Sequence, residues 1–147
     1  MSNSNMNVDA NKTAVGCFLE DVMTKNRPEL LDQFCLEDFV MYWRDKPAVT
    51  GLAEMKRFVG WHDSTFPGCT WEIKDLVAEN DMVAARLVQH GIHKGELDGA
   101  RPTGKKFSIC EAMFFRFRDG KIAEMWVLPD TDDRKEQLGF RSLPPDS

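Results

Sequence analysis

No apolar run in the 147 residues approaches the length needed to cross a bilayer, so no membrane role is expected. The opening stretch, Met1-Ser-Asn-Ser-Asn-Met-Asn7, lacks the basic start and apolar block of a secretion signal, and a cytoplasmic location is expected. Basic residues are the minority: 19 Lys plus Arg against 24 Asp plus Glu leave a net charge of −5. That balance argues against nucleic acid, whose phosphates call for a basic face. Cys17, Cys35, Cys69 and Cys110 form no C-x-x-C pair, which removes the usual zinc and redox signatures. In a reducing compartment they are expected as small buried or half-buried side chains, not disulfides. With three histidines and no H-E-x-x-H, P-loop, G-x-G-x-x-G or G-x-S-x-G, no metal and no cofactor is expected. What remains is 42% apolar and 29% charged, an ordinary globular composition. Residues 1–147 are expected to form one domain with an ordered core over about 9–140.

Periodicity divides the chain. Ala14, Cys17, Phe18, Leu19 and Val22 make one apolar face at helical spacing over about Asp9 to Lys25, with Asp9 or Asn11 as the cap. Arg27 to Phe34 reads as a short second helix with Pro28 in its first turn. Glu37 to Trp43 switches to β-formers, and Arg44 to Gly51 reads as a loop. Leu52 to Ser64 is a third helix, with Met55, Phe58, Val59 and His62 on one side. From Thr70 the pattern is β: Thr70–Val77, Met82–Ile92, Lys106–Phe117 and Lys121–Leu128, with turns at Glu79–Asp81 and Asp119-Gly120. Lys94 to Gly104, with three glycines and Pro102, is a loop or bulged hairpin tip. Asp130 to Leu138 reads as a last helix, and the end with Pro144 and Pro145 as a loose tail. Helices first and long hairpin strands afterwards make an α+β plan. A long sheet coils, so the expected form is a conical, curved antiparallel sheet around the amino-terminal helices. Its open end would hold a small ligand.

Two stretches carry a resemblance. Gly91-Ile-His-Lys-Gly-Glu-Leu-Asp-Gly-Ala-Arg-Pro-Thr-Gly-Lys105 resembles the G-T-H-x-G-x-F-x-G-x-x-P-T-G-K stretch of the SnoaL-like polyketide cyclases and ester cyclases, within the nuclear-transport-factor-2-like superfamily. Phe115-Arg-Phe-Arg-Asp-Gly-Lys-Ile-Ala-Glu-Met-Trp126, then Asp130, then Gln137-Leu-Gly139, resembles the family's F-R-x-x-D-G-K-I-x-E-x-W-x-x-x-D and Q-L-G. Two departures stand out: Ile92 replaces the usual Thr, and the first strand ends Met41-Tyr-Trp-Arg-Asp45 where many relatives carry a His. The resemblance implies the conical fold and a cofactor-free acid/base enzyme acting on a hydrophobic polyketide- or terpenoid-like molecule, by ring closure or isomerisation. It also implies Asp130 as general acid/base, removing an activated C–H proton.

The residues themselves leave alternatives open. Asp130 equally suits the cap of the last helix. His90 shares a strand face with Met82, Ala84, Arg86 and Val88, and is either a proton relay or structural. Arg86 either holds an acidic substrate group or is solvated. Glu111, on the side of Ile109 and Met113, reaches the cavity or pairs with a basic residue. Trp126 is a pocket wall or core. Tyr42, Trp43, Trp61 and His62 are candidates for the open end. Glu124 is an expected ion-pair partner for Arg116 or Arg118. His93 is expected to face the other side of its strand and orient the loop. Two further readings stand beside the cyclase. One is epoxide opening, which needs a second carboxylate such as Glu111 or Glu124. The other is a non-enzymatic ligand-binding dimer. A homodimer through the outer sheet face, around Cys110, Ala112 and Phe114, is expected in either case.

Overall fold

The apolar face of the first helix sets the architecture. Val15, Phe18, Leu19 and Val22 recur at helical spacing and are fully buried. The computed structural model describes residues 2–140, with side chains from residue 7, so the tail with Pro144 and Pro145 lies outside it. Helix α1 spans Ser2–Cys17 and continues as a π-helical segment, Phe18–Thr24. It therefore begins before Asp9 and Asn11, which sit within it and do not cap it. Helix penalties of Asn and Asp, at most about 0.7 kcal/mol each, are too small to stop it there. A 3-10 turn at Pro28–Leu30 leads into the single-turn helix α2, Leu31–Phe34.

Strand β1 (Cys35–Trp43) turns at Arg44, whose φ is +60°, into β2, Lys46–Thr50. The stretch expected as a loop is thus mostly an edge strand. Pro47 is compatible with it because an edge strand leaves one row of N–H groups unpaired. Gly51, at φ +85°, swings the chain from β2 into α3 (Gly51–Thr65), and Glu54 Oε2 accepts the Thr50 amide at 2.6 Å. Met55, Val59 and His62 form the buried stripe of α3.

Strands β3 (Thr70–Glu79), β4 (Met82–Ile92), β5 (Lys106–Arg118) and β6 (Lys121–Pro129) complete a curved six-stranded sheet of order β2-β1-β6-β5-β4-β3. All neighbours are antiparallel except β1 and β6, which run parallel. The β5–β6 hairpin turns on Asp119 and Gly120, both at positive φ, as their turn chemistry predicts. On β4, Val83, Ala85, Leu87 and Gln89 face inward, and on β5, Phe107, Ile109, Glu111, Met113 and Phe115 do. Phe18 packs edge-on against Phe34 and Phe115, each at 6.1 Å, joining the first helix to the middle of the sheet.

Helix α4, Thr131–Gln137, follows β6 directly. Pairing of β5 with β6 begins at Glu111, which leaves Lys106–Cys110 without a partner on that side. Helix α4 covers this edge: Gln137 accepts the Ser108 amide at 2.9 Å and donates to the Ser108 carbonyl at 2.8 Å. Four free thiols are present. Cys35 and Cys69 are buried, whereas Cys17 and Cys110 are exposed rather than half-buried as expected. No helix among the described residues is long and apolar enough to cross a membrane.

Candidate active site

Between the inner face of the sheet and α3 lies a cleft with about 400 Å³ of empty space, counting its mouth. Only about 30 Å³ of it admits the centre of a water, room for one or two molecules. Methionines 23, 41, 113 and 125 form much of its lining, and Trp43, Phe58 and Trp61 reach it from the mouth side. Trp61 is 47% exposed. Its polar lining is Gln89 from β4, Glu111 from β5, His62 from α3 and Arg134 from α4.

Glu111 is the chemical centre of this cleft. It occupies an inward position of β5, where the strand period demands an apolar residue. Its Oε1 accepts Trp71 Nε1–H at 3.0 Å and Gln89 Nε2–H at 2.9 Å. Trp71 is held for this by β3 and by its own amide, which donates to Thr24 Oγ1 at the end of the π-helical segment. Burial pushes the Glu111 carboxyl up to about 7, against the opposing pull of those two donors and the more distant Arg134 charge. His62 packs 5.0 Å from the Trp71 ring, and burial with the Arg134 charge lowers its pKa to about 4. At neutral pH the cleft thus holds a neutral imidazole and a carboxyl poised between its two forms.

The structure brings Glu111 and Trp61 to this cleft, together with Trp43 and His62. The other expected site residues lie elsewhere. Asp130 is exposed and caps α4, accepting the Asp133 amide at 3.1 Å; it does not line the cleft but borders an open groove with Arg44, Arg86 and Leu128, whose wall Glu111 and Pro129 share with the cleft. His90 and Arg86 point to the outer face of β4, because the inward residues are odd-numbered. There His90 Nε2–H donates to Glu72 Oε1 at 3.0 Å and the Ser108 hydroxyl meets Nδ1 at 2.7 Å. Arg86 donates to Asp75 at 2.7 Å. Tyr42 and Trp126 stack at 5.1 Å on the same outer side, with Tyr42 donating to Glu124 at 3.0 Å. Glu124 also takes the expected ion pair with Arg116, at 3.3 Å. Asp130 and His90 therefore share no cavity.

His93 orients the loop, as expected of it. Its Nδ1 accepts the Thr103 amide at 3.2 Å, and its fully buried ring lies edge-on to Phe140 at 5.7 Å. Gly95 is needed where this loop docks on α3, since a Cβ there would collide with the Ser64 carbonyl.

A model of the SnoaL-like polyketide cyclases matches residues 13–138. The chain belongs to this family. Among curated relatives, aklanonic acid methyl ester cyclase AcmA of Streptomyces galilaeus is 44% identical over 82 residues, covering 55% of this chain and 57% of that one. Nogalonic acid methyl ester cyclase of Streptomyces nogalater is 34% identical over 91 residues, 61% and 68% of the two chains. The matched stretch thus spans little more than half the length of the first relative. The solved structure of IdmH from Streptomyces antibioticus superposes with a TM-score of 0.77 at 25% identity, covering 88% of this chain and 98% of that one.

The SnoaL-like motifs mark the scaffold more than the cleft. Residues 91–105 form the docked loop and 115–126 the distal β5–β6 hairpin. Trp71, Gln89, Glu111 and Arg134 all lie outside both. Glu111 was accessible by strand parity, and the same parity applied to Gln89, between Leu87 and Gly91, would have found it too. Arg134 falls one helical turn before buried Leu138, a spacing that signals the inner face of α4.

Proposed function

We propose that this SnoaL-like protein is a cofactor-independent cyclase or isomerase for a hydrophobic, polyketide-like molecule, with Glu111 as the acid/base. The observation that carries this reading is a carboxyl buried in an aromatic, methionine-rich cleft and held through one oxygen by Trp71 and Gln89, where burial pushes its pKa up to about 7. A carboxylate with that pKa is matched to proton transfer at neutral pH. Its Oε2 takes the proton of an activated C–H, while Trp71 and Gln89 keep Oε1 in place. The enolate carbon closes onto a carbonyl of the same molecule, and the new alkoxide receives the proton back from Glu111. Formula is conserved, so no co-reactant is required. The exposed Trp61 ring stands at the mouth of the narrow cleft, where an entering molecule would meet it first. Epoxide opening is less well supported, because Glu111 is the one carboxylate among the described cleft residues. A second copy of the chain covers the outer sheet face, where Phe114 and Leu128 are 40% and 41% exposed. Sedimentation is expected to show twice 16.8 kDa at micromolar concentration, and a purely 16.8 kDa species would contradict the dimer.

Two variants test the assignment on aklanonic or nogalonic acid methyl ester, the compounds named for the relatives. Glu111→Gln keeps the shape and the hydrogen bond from Trp71 but cannot take up a proton, so turnover falls about a hundredfold or more. Asp130→Asn caps α4 nearly as well as aspartate and leaves turnover within about twofold. The reverse pattern would move the role to Asp130. Saturable binding with no turnover by the wild type would favour the ligand-binding module.

A further inference from the structure

Arg134 is 8% exposed, yet its guanidinium has almost nothing to donate to. Nη1 reaches Gln89 Oε1 at 3.4 Å, long for a charge-assisted hydrogen bond. Nε is buried without a partner among the described residues. No carboxylate among them lies within ion-pair distance of it. The ring faces of Phe66 and Phe107, 4.8 and 5.6 Å from its central carbon, fix the plane of the group without satisfying its N–H donors. A guanidinium carries five such donors and keeps its charge at any working pH. Glu111, on the wall of the same cleft, keeps its proton below about pH 7 and leaves that charge uncompensated in slightly acidic solution. A buried, poorly paired cation is costly, and a ligand bearing an acceptor oxygen would offset that cost.

We propose that Arg134 anchors an anionic oxygen of the ligand, so that the cleft selects hydrophobic molecules carrying a carboxylate, phenolate or enolate. The inference rests on the cleft being the ligand site of the proposed enzyme. It assigns the half of the chemistry that Glu111 does not perform. When the C–H proton passes to the carboxyl, the charge left on the enolate oxygen lies against a fixed, desolvated guanidinium. Neutral analogues of the same shape gain only the aromatic walls.

Calorimetric titration with 2-naphthoate and its neutral counterpart 2-naphthamide, at pH 6, tests the selection without requiring turnover. Wild type is expected to bind the anion at least about tenfold more tightly than the amide. Arg134→Met should abolish that preference and keep the amide affinity within about twofold. Its melting temperature should rise, because an unpaired buried charge has been replaced by an apolar chain of similar length. Arg134→Lys should retain part of the preference. Equal affinities in the wild type, no binding of naphthoate, a preference that survives Arg134→Met, or a lower melting temperature in that variant would overturn the proposal. Failure of the Glu111 assignment would appear separately, as turnover retained in Glu111→Gln with the anion preference intact.

Discussion

Glu111 and His62 are ionisable side chains at positions that burial makes hostile to charge, and they respond in opposite senses. The Glu111 carboxyl has a pKa of about 7 when folded against the ordinary 4.5. Between those values the folded chain keeps a proton that the unfolded chain has lost. Its contribution is complete below about pH 4.5 and disappears as pH rises through 7, a loss on the order of 3 kcal/mol. His62 falls from 6.5 to about 4, so its contribution is complete above pH 6.5 and disappears as pH falls through 4. From pH 4.5 to 6.5 the two slopes, each about 1.4 kcal/mol per pH unit, oppose one another. Wild-type stability measured by denaturant unfolding should therefore be nearly level across that window. Glu111→Gln should become more stable as pH rises, and His62→Phe less stable. Parallel curves for all three proteins would show that neither group is perturbed as described. Strand parity places Glu111 beside Ile109 and Met113, and that much is legible in the sequence. Parity alone does not say which face of a strand is inside. His90 and Arg86 share a face with Ala84 and Val88, which looked suitable for a cavity, but Val83, Ala85 and Leu87 are the more deeply buried set.

Helix α4 illustrates what an element of seven residues does for a site. It positions Arg134, and it is itself held by contacts with β5 rather than by its own length, since a helix so short has little stability alone. Asp130 begins it, the Asp130 amide donates to the Cys110 carbonyl at 3.0 Å, and Gln137 bridges both backbone groups of Ser108. Gln137→Ala should cost about 1–2 kcal/mol in unfolding free energy. Amide exchange should accelerate in α4 and at Ser108, with the β3–β4 hairpin unchanged. Uniform acceleration over the whole sheet would mean that the bridge supports global rather than local stability. The Asp130–Leu138 pattern made this helix legible from its cap and its Gly139 stop. Strand β2 was less so, because Pro47 and the charged Arg44-Asp-Lys46 run have the composition of a loop. Only pairing with β1, a tertiary interaction, makes a strand of them. The parallel contact of β1 with β6 is equally non-local and has no signature in hairpin spacing.

The whole molecule separates scaffold from chemistry. The curved sheet is shared with solved structures such as that of IdmH, and the two motifs fall on its docked His93 loop and on the β5–β6 hairpin. Cleft polarity is set by four side chains outside those motifs, which is why the fold was read more fully than the site. On the outer sheet face Tyr42 stacks on Trp126, Arg86 pairs with Asp75 and His90 with Glu72, all apart from the cleft. In the proposed reaction a buried Glu111 changes protonation near neutrality and moves the substrate proton. The dependence of kcat/KM on pH tests it most directly, measured side by side for the wild type and Asp130→Asn. Both should show the same limb with a midpoint near pH 7, and the residual activity of Glu111→Gln should lack it. A limb that vanishes in Asp130→Asn, or that persists in Glu111→Gln, would contradict the assignment.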